Sequence, residues 1–222
     1  HVFVADVYEP RLEPHDHHHV ARVLRVRPGE LVTACDGRGS WRTCVLTSAG
    51  DLETRDDEIV VEQRNRSPIT IAFGLTKSDK PEFVVQKLTE LGVDHIVPVV
   101  LEHSVVKWDA SKSARQHERF LAISREAAMQ SRQVFLPMVH PVASDLDALM
   151  NGSVMADQWG AVAVADPNGD APVGQVSAVV IGPEGGVSAE EMSRFEYAVR
   201  LPGGILRAET AAFRTPLAER NL

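Results

Sequence analysis

The chain has 222 residues, of which 44% are hydrophobic, 24% charged and only 5% aromatic, enough for one sizeable core or two small domains and no more. No stretch reaches the roughly 18 apolar residues that a membrane helix needs, since even 96–101 contains Pro98 and is followed by Glu102, so a soluble protein with no membrane partner is expected. With 23 Lys and Arg against 31 Asp and Glu the formal charge is -8, which taken whole argues against a nucleic-acid partner.

From Val2 to about Glu62 the segments are short, β-branched and separated by turn residues: 2–7, 30–37, 40–47 and 58–63. Asp36-Gly37 and Gly39-Ser40 mark a tight reversal between the second and third of these. A helical insert at 17–30 ends at Pro28-Gly29. The pattern predicts a small barrel or meander over residues 1–66, closed by the polar linker 63–68. Cys35 and Cys44 cannot build a disulfide framework; they read as small buried apolar residues and suit a reducing, cytoplasmic setting. The N-terminus carries no export signal and lacks an initiator Met, so a few residues are expected to be missing before His1. His15, His17, His18 and His19 do not make a convincing zinc set, and no metal is expected; a histidine surface that approaches phosphate is the preferred reading.

After the linker, over 67–222, strands alternate with helices. Residues 69–76 form a near-continuous apolar strand, followed by a helix with Asp79 as its cap, Pro81 in its first turn, Val84, Leu88 and Leu91 at helical spacing, and Gly92 at its end. A second strand covers 95–100, and a long helix runs from about Ser113 to Ser131 with Phe120, Leu121, Ala127 and Ala128 as its apolar repeats. Three further buried strands follow at 161–165, 177–181 and 198–201, the last two separated by a helix that starts on the capping-box spacing Ser188 to Glu191. Alternating strands and helices imply an α/β domain with a parallel sheet covered on both faces.

In such sheets chemistry collects where strands pass into loops. Residues 181–186, Ile-Gly-Pro-Glu-Gly-Gly, join a buried strand to a capped helix and let backbone approach a flat or anionic ligand, yet match neither the Walker nor the dinucleotide fingerprint. Asp166-Pro167-Asn168-Gly169 and the run from Leu201 to Thr210 end the two neighbouring strands in the same Gly/Pro-rich way. In the third loop an Ile-Leu pair leads directly into Arg207 and Glu209.

Taken together, 77–93, 103–109, 126–132, 181–186 and 205–211 closely resemble the RsmE-like 16S ribosomal RNA uridine methyltransferases of the SPOUT class, and the segment at 17–37 resembles that family's PUA-like RNA-binding barrel. The resemblance covers the whole chain. It implies a C-terminal domain tied in a trefoil knot, a homodimer, and transfer of a methyl group from S-adenosylmethionine to nitrogen 3 of a uridine in small-subunit ribosomal RNA during ribosome maturation. Carried onto this sequence, the cofactor would be held by Ala165, by Ile181, Gly182, Glu184 and Gly186, and by Leu201, Pro202, Gly203, Gly204, Ile205 and Leu206.

Nitrogen 3 of uridine carries a proton, so a base or a stabiliser of the uridine anion is needed. Arg207 suits the second role, and Glu209 would orient Arg207 or accept the proton; a structural ion pair at a helix start is the alternative. RNA contact is expected from Arg22, Arg25, Lys77, Lys80, Lys107, Arg125, Gln130 and Arg132. The helix segment differs from the family's EQSGR-like signature: Met129 stands for the acid, and the usual Gly-Arg pair appears as Arg132-Gln133. His1, His103 and Pro202-Gly203-Gly204 also stand where family members carry arginines. Two other classes fit less well: a non-catalytic RNA-binding protein of the same fold, and a knotted ribose methyltransferase. The net charge divides into nine basic against twelve acidic residues over 1–66 and fourteen against nineteen over 67–222. Local islands at 19–42 and 107–132 are each +3, and RNA responds to such local fields.

Overall fold

The computed structural model describes residues 1–13, 16–17, 26–151, 161–170, 176–202 and 204–214. Two compact units divide the chain: His1–Arg66 with Arg125–Leu136, and Ser67–Ser124 with Pro137–Leu222.

In the first unit, β1 (Val2–Phe3) runs parallel to β2 (Leu31–Cys35), which pairs antiparallel with β3 (Ser40–Leu46); β4 (Leu52–Thr54) and β5 (Val60–Val61) both pair with β3. The reversal between β2 and β3 falls at 36–39, where Asp36 Oδ1 accepts from the backbone N–H groups of Arg38 and Ser40, and Gly37 and Gly39 take positive φ. One small core joins Val2, Val4, Val32, Ala34 and Cys44; a second joins Phe3 and Cys35 to Ala128 and Met129. Both cysteines are buried, as expected of small apolar residues. Residues 18–25 of the helix expected over 17–30 lie outside the described residues; the described end, 26–30, is not helical and holds the turn at Pro28-Gly29, with Gly29 at φ +89°.

The second unit is built on a parallel sheet of β6 (Thr70–Gly74), β7 (His95–Val99), β8 (Met138–Val139), β9 (Val162–Ala165), β10 (Ala178–Ile181) and β11 (Tyr197–Val199). Its strand order is β11-β9-β10-β6-β7-β8. Alternation along β6 decides the layers. Ile71 and Phe73 join α1 (Lys80–Glu90) and α5 (Ala208–Arg214) in the larger core, while Ala72 joins Val97, Val180, Leu146 and Leu149 on the opposite face, the last two from α3 (Leu146–Asn151). Every residue of β6 and of β10 is buried, which is why both read as continuous apolar runs.

The helices correct three sequence readings. Asp79 occupies the cap position of α1, with Pro81 in the first turn, but makes no side-chain capping bond. The long helix α2 spans Ala110–Ser131, starting three residues before Ser113, because Asp109 Oδ1 accepts from the Lys112 backbone N–H at 2.7 Å and caps it earlier. On α2, Phe120, Ser124, Ala127 and Ala128 are buried, but Leu121 is 39% exposed, because it lies one residue off that stripe. Helix α4 (Ala189–Met192) has the expected capping box, with Ser188 and Glu191 bonded reciprocally.

Candidate active site

Because β9, β10 and β11 are parallel neighbours, their C-terminal loops leave the sheet on the same edge. A cavity of about 540 Å³ opens there, within the range that holds a cofactor-sized ligand. Its wall takes Ala165, Asp166 and Pro167 from the first loop, Ile181 to Glu184 with Gly186 and Val187 from the second, and Leu201 with Gly204 to Ala208 from the third. Met192 and Ala211 complete it with Lys80, which begins α1.

Glycine brings these loops close. A Cβ on Gly74, at the end of β6, would stand 2.6 Å from Pro183 Cδ and 2.7 Å from Pro183 N, so the second loop packs directly on that strand. A Cβ on Gly169 would meet the Ala198 backbone at 2.6 Å, seating the first loop against β11 in the same way. Gly186 takes φ +74° and faces open space. The second loop and the helix after it are also tied from outside: the His103 imidazole and the Gly185 carbonyl oxygen are 2.9 Å apart, and the Glu102 backbone N–H donates to Oε1 of Glu191 in α4.

The charged side of the cavity centres on Lys80. Its Nζ donates to Glu184 Oε1 at 2.7 Å and lies 3.7 Å from Glu209 Oε2, so one ammonium bridges the second loop and α5. Hydrogen bonding to Glu184 raises the Lys80 pKa above its ordinary value. Partial burial alone would push the Glu184 carboxyl up, but the bond from Lys80 and the surrounding lysine charge outweigh it and leave the carboxyl below the usual range. Arg207 is exposed at the rim. Glu209 is not among the wall residues; its Oε2 is buried and 3.7 Å from the Lys80 ammonium.

Among the residues assigned to the cofactor from sequence, Ala165, Ile181, Gly182, Glu184, Gly186, Leu201, Gly204, Ile205 and Leu206 line this cavity; Pro202 does not, and Gly203 lies outside the described residues. Sequence reasoning missed Asp166, Pro167, Val187 and Met192 as wall residues. It also placed Lys80 with the RNA contacts. The Asp-Pro-Asn-Gly turn was visible, but the packing that turns it inward is not a property of the segment.

The expected RNA contacts fall in both units. Arg22 and Arg25 lie outside the described residues, as do His15, His18 and His19. Lys77, Gln130 and Arg132 are exposed, and Lys107 edges a second cavity of about 310 Å³ whose charged lining is mainly acidic. Arg125 is committed inside its own unit: Nη2 donates to Asp16 Oδ2 at 2.6 Å and to the Phe3 carbonyl at 2.9 Å, and the guanidinium lies over the Phe3 ring.

Residues 63–215 match an RNA methyltransferase domain and residues 12–53 an RNA methyltransferase PUA domain. The chain belongs to this RNA methyltransferase family. It is 32% identical to the ribosomal RNA small subunit methyltransferase E of Bacillus subtilis over 87% of this chain and 82% of that protein, and 30% identical to the Mycobacterium tuberculosis protein of the same name over 87% and 79%. Among solved structures, ribosomal RNA small subunit methyltransferase E from Neisseria gonorrhoeae bound to S-adenosyl methionine superposes with a TM-score of 0.78 at 26% identity, covering 98% of this chain and 94% of that one. The fold is thus a SPOUT methyltransferase domain with a parallel sheet and an N-terminal PUA-like domain, as the sequence led us to expect. No described helix is long and apolar enough to cross a membrane.

Proposed function

We propose that this RNA methyltransferase transfers a methyl group from S-adenosylmethionine to nitrogen 3 of a uridine in small-subunit (16S) ribosomal RNA, as a cytoplasmic homodimer whose C-terminal chain carries the trefoil knot of its class. The observation that carries this reading is the cavity built by three consecutive glycine- and proline-rich loops at one edge of the sheet. The names of the Bacillus and Mycobacterium relatives support the RNA substrate, and the bound ligand of the Neisseria structure supports the cofactor. The adjacency of β11, β9 and β10 supports the knot, since it gathers the loops that would form it.

The residues present fit the cofactor. Ile181, Leu201 and Leu206 give an apolar slot for a flat ring, Gly186 and Gly204 leave space where a Cβ would project, and Glu184 offers a carboxylate for the ammonium of the methionine end. When bound, S-adenosylmethionine supplies an electrophilic methyl group on a positively charged sulfur. The chain's own residues do the rest. Lys80 keeps Glu184 ionised and in place. Arg207, at the rim, stabilises the uridine anion once nitrogen 3 has lost its proton to solvent, and Glu209 holds Lys80 beside Arg207. Glu209 is therefore a positioning residue in this scheme.

The test is methyl transfer to small-subunit particles lacking the modification, followed by nucleotide mapping. One methyl group on nitrogen 3 of a uridine is expected; a methylated ribose, or no transfer by protein that binds S-adenosylmethionine, overturns the reading. Light scattering at micromolar concentration should give the mass of a dimer.

A further inference from the structure

We propose that Arg38, Arg64, Arg66 and Phe135 form a binding surface for single-stranded RNA on the first unit, with the Arg64–Phe135 stack receiving a base and the flanking guanidiniums receiving phosphates. The proposal rests on the function above only for the identity of the RNA.

Three separate stretches of chain are held together to make this surface. The register of β5 on β3, Ser40 opposite Val61 and Trp41 opposite Val60, brings 62–66 alongside the β2–β3 turn, and the Glu62 backbone N–H donates to the Gly39 carbonyl at 2.9 Å. Residues 134–136 lie along the same turn: Gly39 N–H donates to the Val134 carbonyl, Leu136 N–H to the Gly37 carbonyl, and Arg38 and Phe135 form an antiparallel bridge. Gly39 makes the junction possible, since it takes φ +108° and a Cβ there would stand 2.6 Å from the Glu62 carbonyl oxygen and 2.8 Å from the Phe135 ring.

On this base the Arg64 guanidinium carbon stands 4.4 Å from the Phe135 ring centroid, both side chains half-buried, while Arg38 and Arg66 are exposed. Asp36 accepts from the Arg38 and Ser40 backbone, and Glu62 accepts from the Trp41 indole N–H, which fixes both carboxylates along the turn. Burial first, and the Arg66 charge second, hold the Arg64 pKa below its ordinary value. Phosphate suits the planar guanidinium fork, and an aromatic–guanidinium stack suits an unpaired base of any sequence. In a chain of net charge -8 such a surface supplies the local positive field that RNA requires.

The full-length Arg38→Gln/Arg64→Gln variant tests this, with a single-stranded RNA oligonucleotide and small-subunit particles as probes. Binding should weaken about tenfold or more at physiological salt, and the slope of log affinity against log salt should fall by about one, for the phosphate that Arg38 no longer neutralises. Affinity for S-adenosylmethionine and the unfolding midpoint should not change. Arg38→Lys/Arg64→Lys, which keeps the charge and removes the fork and stack, should retain the slope but bind more weakly. Unchanged affinity for both probes overturns the proposal, as does a loss confined to particles with the oligonucleotide unaffected, which would mark a protein-docking surface. If the wild-type protein binds RNA through these residues yet transfers no methyl group, the proposed function fails and this surface stands.

Discussion

The second unit treats charge in opposite ways at two regions of one sheet. At the cavity edge, charges are paired: Lys80 bridges Glu184 and Glu209 while all three remain partly open to solvent, and the Lys80 and Glu184 pKa values move apart. At the β7–β8 edge, charge is removed. His140, 7% exposed, stacks on His95 with their ring nitrogens 3.0 Å apart, and His117 bonds to the Val139 carbonyl oxygen nearby. Burial first, then the charges of His95 and His117, push the His140 pKa down to about 4. An edge that handles ligands needs charges that stay available, whereas an edge that only closes the core is most stable with none.

Two substitutions break the open edge. Gly74→Ala should have the largest effect, because the added Cβ meets backbone of the second loop at 2.7 Å, and backbone cannot rotate away. A cost of about 1–3 kcal/mol is expected from such overpacking. Calorimetry should show S-adenosylmethionine affinity falling at least tenfold with it; an unchanged affinity would mean that the loop does not depend on that strand. Lys80→Met should raise the KM for S-adenosylmethionine by about tenfold, the scale of one charge-assisted hydrogen bond at a partly open site. Its unfolding midpoint should hold steady, and Lys80→Arg should recover most of the loss. An equal loss in Lys80→Arg would show that packing matters there and charge does not.

That contrast was only half visible in the sequence. The three loops, the capping box at Ser188 and the buried character of β6 and β10 were legible because each is a property of a short stretch. Gly74 looked like any residue of an apolar strand, since its requirement arises from Pro183, more than a hundred positions away. The place of Lys80 in the cavity wall was hidden for the same reason: both of its carboxylate partners lie far off in sequence. Leu121 was misread because apolar spacing fixes a stripe but not which of two adjacent residues lies at its centre. Nor could the pairing of β5 with β3, which assembles the arginine surface, be read from two residues of strand.

Acid sharpens the comparison at the closed edge. A histidine with a folded pKa near 4 and an unfolded value of 6.5 binds fewer protons when folded, so its neutral packing costs nothing above pH 6.5 and stability is lost as pH falls toward 4. The loss should be on the order of 2 kcal/mol by pH 5, seen as a falling denaturation midpoint. His140→Gln should flatten the decline between pH 6.5 and 5. If the variant declines as steeply as the wild type, the acid sensitivity lies elsewhere.

The smallest expected effect asks whether the first unit also accepts strain near the surface proposed to bind RNA. Helix α2 ends with Arg132 at φ 57°, its N–H donating to the Met129 carbonyl and the Gln133 N–H to that of Ala128, a helix-ending geometry in which glycine is usual. The family signature has glycine at this position, and the side chain here costs about 1 kcal/mol in the left-handed region. Arg132→Gly should therefore stabilise the protein by somewhat less than that, allowing for glycine's greater freedom in the unfolded chain, as a rise in denaturation midpoint. If the arginine is kept for its charge, the same variant should bind small-subunit RNA more weakly, with a salt slope reduced by about one. A stabilised variant with unaltered RNA binding would leave the strain at Arg132 without a functional counterpart, and would confine the binding surface to Arg38, Arg64, Arg66 and Phe135.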